Sequence, residues 1–218
     1  MLYYGSMTEK PFFIGEVGCA SPDPITGITF ENSGLKIPRV VILEPETPLC
    51  TYNNSNAEYQ EKVEATGNSC IRADVYKDSQ ELNNLRLGFL AFEDVLNDPA
   101  YFSQKDLSQL VLTLKKIIGQ SGLVLFTTSL FSDRHIDKYE KMSNLLQTSG
   151  FILLHDDLTN GNYIPSNTRD ESQLGERLKL VLSALKKLDL VDEALIRGLT
   201  THAKNPLDYW LVFQKRVL

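Results

Sequence analysis

Apolar and polar residues alternate along this chain in two periods. Short β-branched runs bounded by turn residues, such as "RVVIL" (Arg39 to Leu43) closed by "EPETP", have the pattern of buried strands. Phe12 to Val17, Ser69 to Val75, Leu85 to Leu96, "LVLFTTSLF", "FILLHDDLT" and "YWLVFQK" are read as further strands. Between them lie helical stretches. "SQKDLSQLVLTLKKIIGQSG" spaces Ser103 and Asp106 as a capping box and puts Leu107, Leu110, Val111, Leu114 and Ile117 on one face, with Gly119 and Gly122 as its stop. Asn53 to Gly67 is expected as an exposed helix, "KYEKMSNLLQTSG" as another, and "SQLGERLKLVLSALKKL" and "DEALIRGLTTHA" as a final pair. Ile25 to Ile37 shows no helical period and is expected to be loop or irregular β structure.

Strands alternating with helices of this length imply βαβ units, hence an α/β fold with a largely parallel sheet. The 218 residues fit one domain, and no internal repeat or linker divides them. A net charge of -6, with no dense Lys/Arg stripe, argues against a nucleic-acid partner, because phosphates would be repelled. Cys19, Cys50 and Cys70 are odd in number and form no C-x-x-C pair, which speaks against a disulfide framework or structural zinc; no metal-ligand spacing appears among histidines and acids. "MLYYGSMTEKP" lacks a signal-peptide core and no run approaches membrane-spanning length, so a cytoplasmic protein without membrane attachment is expected.

The order of pieces resembles one family. "LGFLAFEDVLND", "LVLTLKKIIGQSGLVLFTTSLF" and "MSNLLQTSGFILLHDDLT" are similar to the fourth strand, the fifth strand with its leading helix and glycine turn, and the sixth strand of class I S-adenosylmethionine-dependent methyltransferases. The helices from Gln173 to Ala203 followed by "YWLVFQKR" resemble the lid and seventh strand of the sterol-type and other small-molecule members. This resemblance implies a Rossmann-like three-layer sandwich with a largely parallel seven-stranded sheet. Residues 1–218 would form a single domain, with 160–205 as a helical lid inserted before the last strand.

The same resemblance implies a cofactor, S-adenosylmethionine, and a small-molecule acceptor; homo- or hetero-oligomerisation stays open. Glu16, Gly18, Cys19 and Ala20 align with the family's "E/D-x-G-x-G-x-G" turn, where glycines let the backbone approach the cofactor's methionine portion. Ala20 and Pro22 stand at two of the glycine positions. Glu44 falls where the family holds the ribose hydroxyls, and Asp74 with Val75 where it holds the adenine. Glu93 and Asp94 follow the fourth strand at the mouth shared by cofactor and acceptor, and Glu93, Asp94 or His155 is the candidate acid-base group. His135 and His202 rank below His155. Two rival readings accompany the methyltransferase: an inactive binding or scaffold protein, supported by the altered glycine turn, and a pocket reused for non-methylating chemistry such as a cyclisation.

Overall fold

A computed structural model describes residues 13–17, 24–27, 35–43, 56–77, 79–93, 106–128, 136–158, 170–205 and 208–217. Seven strands form one sheet: β1 (Phe13–Val17), β2 (Arg39–Leu43), β3 (Ser69–Arg72), β4 (Leu87–Glu93), β5 (Ile118–Thr128), β6 (Phe151–Asp156) and β7 (Tyr209–Lys215). Their order across the sheet is β3-β2-β1-β4-β5-β7-β6. β1 pairs in parallel with β2 and β4, β2 with β3, and β4 with β5, whereas β7 runs antiparallel to both β5 and β6. The expected α/β, Rossmann-like, largely parallel seven-stranded sheet is therefore present.

The helices among the described residues are α1 (Asn56–Ala65), α2 (Leu107–Ile117), α3 (Ile136–Thr148), α4 (Glu171–Lys186) and α5 (Glu193–Lys204). Strand alternation sorts them into two layers. One face of the sheet presents Val40, Ile42, Leu90, Phe92, Val124, Phe126 and Phe213 to Leu110, Leu114 and Ile117 of α2 and Met142 and Leu146 of α3. Phe92 stacks on Phe126, with ring centroids 4.6 Å apart. The opposite face presents Ile14, Phe89, Ala91, Leu123, Leu125, Trp210 and Val212 to Val181 and Leu185 of α4 and Leu195 and Leu199 of α5. Beside them Tyr59 and Val63 of α1, one turn apart, cover Val41, Leu43 and Cys70. The described part of the 160–205 segment thus packs directly on the sheet as an outer layer.

Local chemistry explains where elements begin and where they depart from expectation. Asp106, rather than Ser103, is the N-cap of α2: its carboxylate accepts the N–H groups of Ser108 and Gln109 at 2.9 and 3.3 Å. Ser103 lies outside the described residues. The helix stops at Ile117, before the glycines, and Ile118 already pairs with Leu87. Because Phe89 pairs with Leu123, residues 119–122 are absorbed in a bulge. A Cβ on Gly122 would lie 2.9 Å from the Leu87 carbonyl oxygen, so glycine serves close strand approach there. α4 opens with a capping box between Asp170 and Gln173, and α5 with Asp192 accepting the Leu195 N–H at 3.0 Å.

Candidate functional site

In a sheet of this order, the crevice outside the carboxyl ends of the strands, next to the point where strand order reverses, is the natural ligand position. That point lies between β1 and β4, whose connections run to opposite sides. β1 ends there with Glu16 and Val17, β4 with Glu93 and β5 with Thr127 and Thr128. The reversed β7 brings its beginning, Tyr209, to the same rim, opposite Thr128.

Glu16 is buried and turned onto the α4–α5 face, where it accepts the Thr26 N–H at 3.1 Å and the Thr26 hydroxyl. The same turn is held from behind by Arg39, which is fully buried at the start of β2. Its guanidinium donates to the Thr26 and Ile37 carbonyls and pairs with Asp192 Oδ1 at 2.6 Å. Burial pushes the Asp192 carboxyl toward neutrality, but the bonds from Arg39 and the Leu195 N–H outweigh it and hold the pKa below the ordinary value. One buried ion pair therefore fixes the 24–27 turn, the start of β2 and the N-terminus of α5 together.

Asp74 and Val75 follow β3 and are both buried. Asp74 Oδ1 accepts the Tyr76 N–H at 2.9 Å and Oδ2 pairs with Lys77 Nζ at 3.0 Å, so the carboxylate shapes its own turn. S-adenosylmethionine calls for acceptors along this rim for its adenine amino group. A carboxylate accepts at about four lone-pair sites, so Asp74 has the chemistry of such an acceptor. Gly18, Cys19, Ala20, Glu44, Asp94 and His135 lie outside the described residues.

At the end of β4, Glu93 meets a residue of low sequence rank. His202, near the end of α5, points Nε2 at Glu93 Oε1 at 3.5 Å and binds Asp208 Oδ2 through Nδ1 at 2.8 Å. Asn205 Nδ2 donates to Asp208 Oδ1 at 2.9 Å. Arg177 of α4, 1% exposed, holds the connection from below: its guanidinium donates to the carbonyls of His202, Ala203, Asn205 and Asp208 and pairs with Asp157 at 2.9 Å. His155 is on edge strand β6, where its Nε2 lies 2.9 Å from Asp157 Oδ1. It is thus separated from Glu93 by β5 and β7 in the sheet order, and among the described residues His202 is the histidine brought to Glu93. Asp208 and Arg177 carried no sequence signal, since their partners come from elements distant along the chain.

No protein-family model and no curated protein matches the chain. Solved structures with similar folds include the [4+2]-cyclase SpnF, at 13% identity and a TM-score of 0.49, covering 95% of this chain and 76% of that one. The N-methyltransferase NodS from Bradyrhizobium japonicum WM9 is similar at 10% identity and a TM-score of 0.46, over 94% of this chain and 86% of that one. Phosphoethanolamine N-methyltransferase 2 from Haemonchus contortus, solved with S-adenosyl-L-methionine, shows 14% identity and a TM-score of 0.46 over 95% of this chain and 49% of that one. Sheet order β3-β2-β1-β4-β5-β7-β6, with β7 reversed and helices on both faces, gives this chain an α/β, Rossmann-like fold.

Proposed function

We propose that the chain is an S-adenosylmethionine-dependent methyltransferase acting on a small-molecule acceptor. The observation that carries this reading is the placement of Glu16, Asp74 and Glu93 at the ends of β1, β3 and β4, along the rim where open α/β sheets take their ligands. Glu44, Asp74 and Val75 would hold the nucleoside, and the turn from Glu16 through Gly18, Cys19 and Ala20 the methionine portion. When bound, the cofactor supplies an electrophilic methyl group on a sulfonium. The chain's own task is then to hold an acceptor in line and close, to exclude water, and to take a proton at the mouth beside Glu93 and Asp94. His155, on the edge strand and engaged by Asp157, stands away from that mouth.

A second reading, an inactive binding protein of the same fold, is favoured by one observation. The 24–27 turn packs against the end of β1: Glu16 is engaged by Thr26, and α5 is seated so closely on residues 24–27 that a Cβ on Gly198 would lie 2.3 Å from the Ile25 carbonyl oxygen. Calorimetric titration with S-adenosylmethionine and S-adenosylhomocysteine, repeated on Glu44→Ala, separates the two. Micromolar binding that collapses in the variant supports the methyltransferase. No heat and no thermal shift at millimolar ligand would sink it in favour of the binding protein.

A further inference from the structure

We propose that the cavity between the 35–37 segment and the start of α5 is a second ligand site, which takes a small amphiphilic carboxylate: an anionic head on a short apolar body. The cavity holds about 540 Å³, within the roughly 300–1,000 Å³ range of small-molecule pockets. Its apolar wall is formed by Leu35, Val191, Ala194 and Ile196, and its charged groups are Lys36, Asp192, Glu193 and Arg197. The proposal goes beyond the methyltransferase reading and does not depend on it, because the cavity is away from the carboxyl-end rim. Lys36 precedes β2, at the amino ends of the parallel strands. α5 begins there with Glu193 and reaches the rim only at His202, about 14 Å further along the helix at 1.5 Å per residue.

The charged side chains select the head group. Lys36 and Arg197 are exposed, and neither is held in an ion pair among the described residues. Glu193 and Arg197 stand four apart on α5, the spacing of a surface ion pair, yet they do not form one. Asp192 does not oppose an anion: its Oδ1 is engaged by the guanidinium of fully buried Arg39 at 2.6 Å, and its Oδ2 is closed to solvent. Two cations therefore share the cavity with one uncompensated acid, Glu193, in a chain whose net charge is -6. A guanidinium meets a carboxylate as a planar fork with two parallel N–H···O bonds, and an ammonium adds a point charge beside it.

The wall selects the body. Ile196 is 38% exposed and shares a face of α5 with Glu193 and Arg197, whereas Leu195 and Leu199 are turned into the core. A single exposed isoleucine is ordinary on a protein surface, but Ile196 lines one cavity with half-buried Leu35 and Val191. An inorganic anion would leave that wall in water, and a neutral hydrocarbon would leave both cations unanswered. A carboxylate carried on an alkyl chain meets both.

The test is an amide-resolved NMR titration of the full chain with octanoate, with acetate and 1-octanol as the head-only and body-only controls. Octanoate should shift the amides of residues 191–197 saturably and leave those of 202–208 in place, and each control should bind about tenfold more weakly or worse. Lys36→Gln combined with Arg197→Gln should weaken octanoate about tenfold while leaving 1-octanol unchanged, and Ile196→Ser should weaken both. These side chains are exposed, so the variants should keep the wild-type urea midpoint, which serves as the check on folding. Absence of saturable shifts at 191–197, or shifts confined to 202–208, overturns the site. Equal affinity for octanoate and 1-octanol, or octanoate binding unaltered in the double variant, overturns the anionic head. Shifts at 191–197 that follow protein dilution rather than octanoate would assign the cavity to a second copy of the chain and overturn the small-molecule ligand.

Discussion

Arg177 Nη1 and Asp157 Oδ2 form a 2.9 Å ion pair that joins α4 to the exit of β6, with the Arg177 guanidinium carbon 4.8 Å above the centre of the Trp210 ring. Asp157 Oδ2 also accepts the Trp210 N–H at 2.9 Å, so one carboxylate oxygen bridges helix and strand. Truncating Arg177 removes the cation that faces Asp157 and leaves several carbonyls without that donor. Breaking such a pair from one side costs about 3–5 kcal/mol, far more than the pair's net worth against an apolar replacement. We expect Arg177→Met to lose stability on that scale in urea unfolding, and Arg177→Met with Asp157→Asn to lose clearly less than the two single costs added. Simple additivity of the two would show that the pair is not coupled.

The ion pair between Arg39 and Asp192 makes a pH prediction. Burial raises the Asp192 pKa, and the bonds from Arg39 and Leu195 lower it by more, so the folded value lies below the unfolded one. A depressed carboxyl pKa stabilises fully above the unfolded value, about 3.9, and the contribution is lost as pH falls through the folded value. Urea midpoints measured downward from about pH 6 should therefore drop below about pH 4. Asp192→Asn should start lower and show a shallower acid decline. An unchanged acid limb in the variant would remove Asp192 as a contributor.

Cys70, on β3 beneath α1, should be inert in the native protein. Burial, reinforced by Glu64 and opposed by Arg72, pushes its thiol up to about 12. Thiolate is the reactive form, so at mildly alkaline pH a disulfide reagent should leave Cys70 unmodified until denaturant is added. Peptide mapping distinguishes it from Cys19 and Cys50. Native labelling at the rate of an unfolded thiol would contradict the packing of α1 on β2 and β3.

The parts of this architecture written in local pattern were legible. Strand β7 is found at Tyr209–Lys215 as its apolar run predicts, and Gly67 and Gly150, with φ of 82° and 100°, follow α1 and α3 as their stops. The start of α2 and of β5 were less so, because Asp106 and Ser103 are equally good caps on paper and the 119–122 bulge is decided by Leu87 across the sheet. Of the site, Glu16, Asp74 and Glu93 were marked by their strand ends. The Glu93–His202–Asp208 cluster was not, because it depends on β7 being reversed and on Arg177 folding the α5–β7 connection back to the rim. No spacing in the sequence encodes that encounter.

The seat of α5 on the 24–27 turn can be tested through two helical glycines. Glycine inside a helix costs roughly 1 kcal/mol relative to alanine, so Gly→Ala is stabilising wherever a methyl group has room. Gly175 of α4 has nothing within 4 Å of an added Cβ, and Gly175→Ala should gain up to about 1 kcal/mol. On Gly198 of α5 the same atom would lie 2.3 Å from the Ile25 carbonyl oxygen and 2.7 Å from that of Pro24, both backbone atoms in a turn fixed by Glu16 and Arg39. Backbone there cannot rotate aside as a side chain would, and the overlap overrides helix propensity. Gly198→Ala should lose about 1–3 kcal/mol in urea unfolding, as overpacking does. Two glycines with one propensity and opposite outcomes would establish that α5 is clamped onto the 24–27 turn, whereas a stabilising Gly198→Ala would show that this contact is looser than the geometry requires.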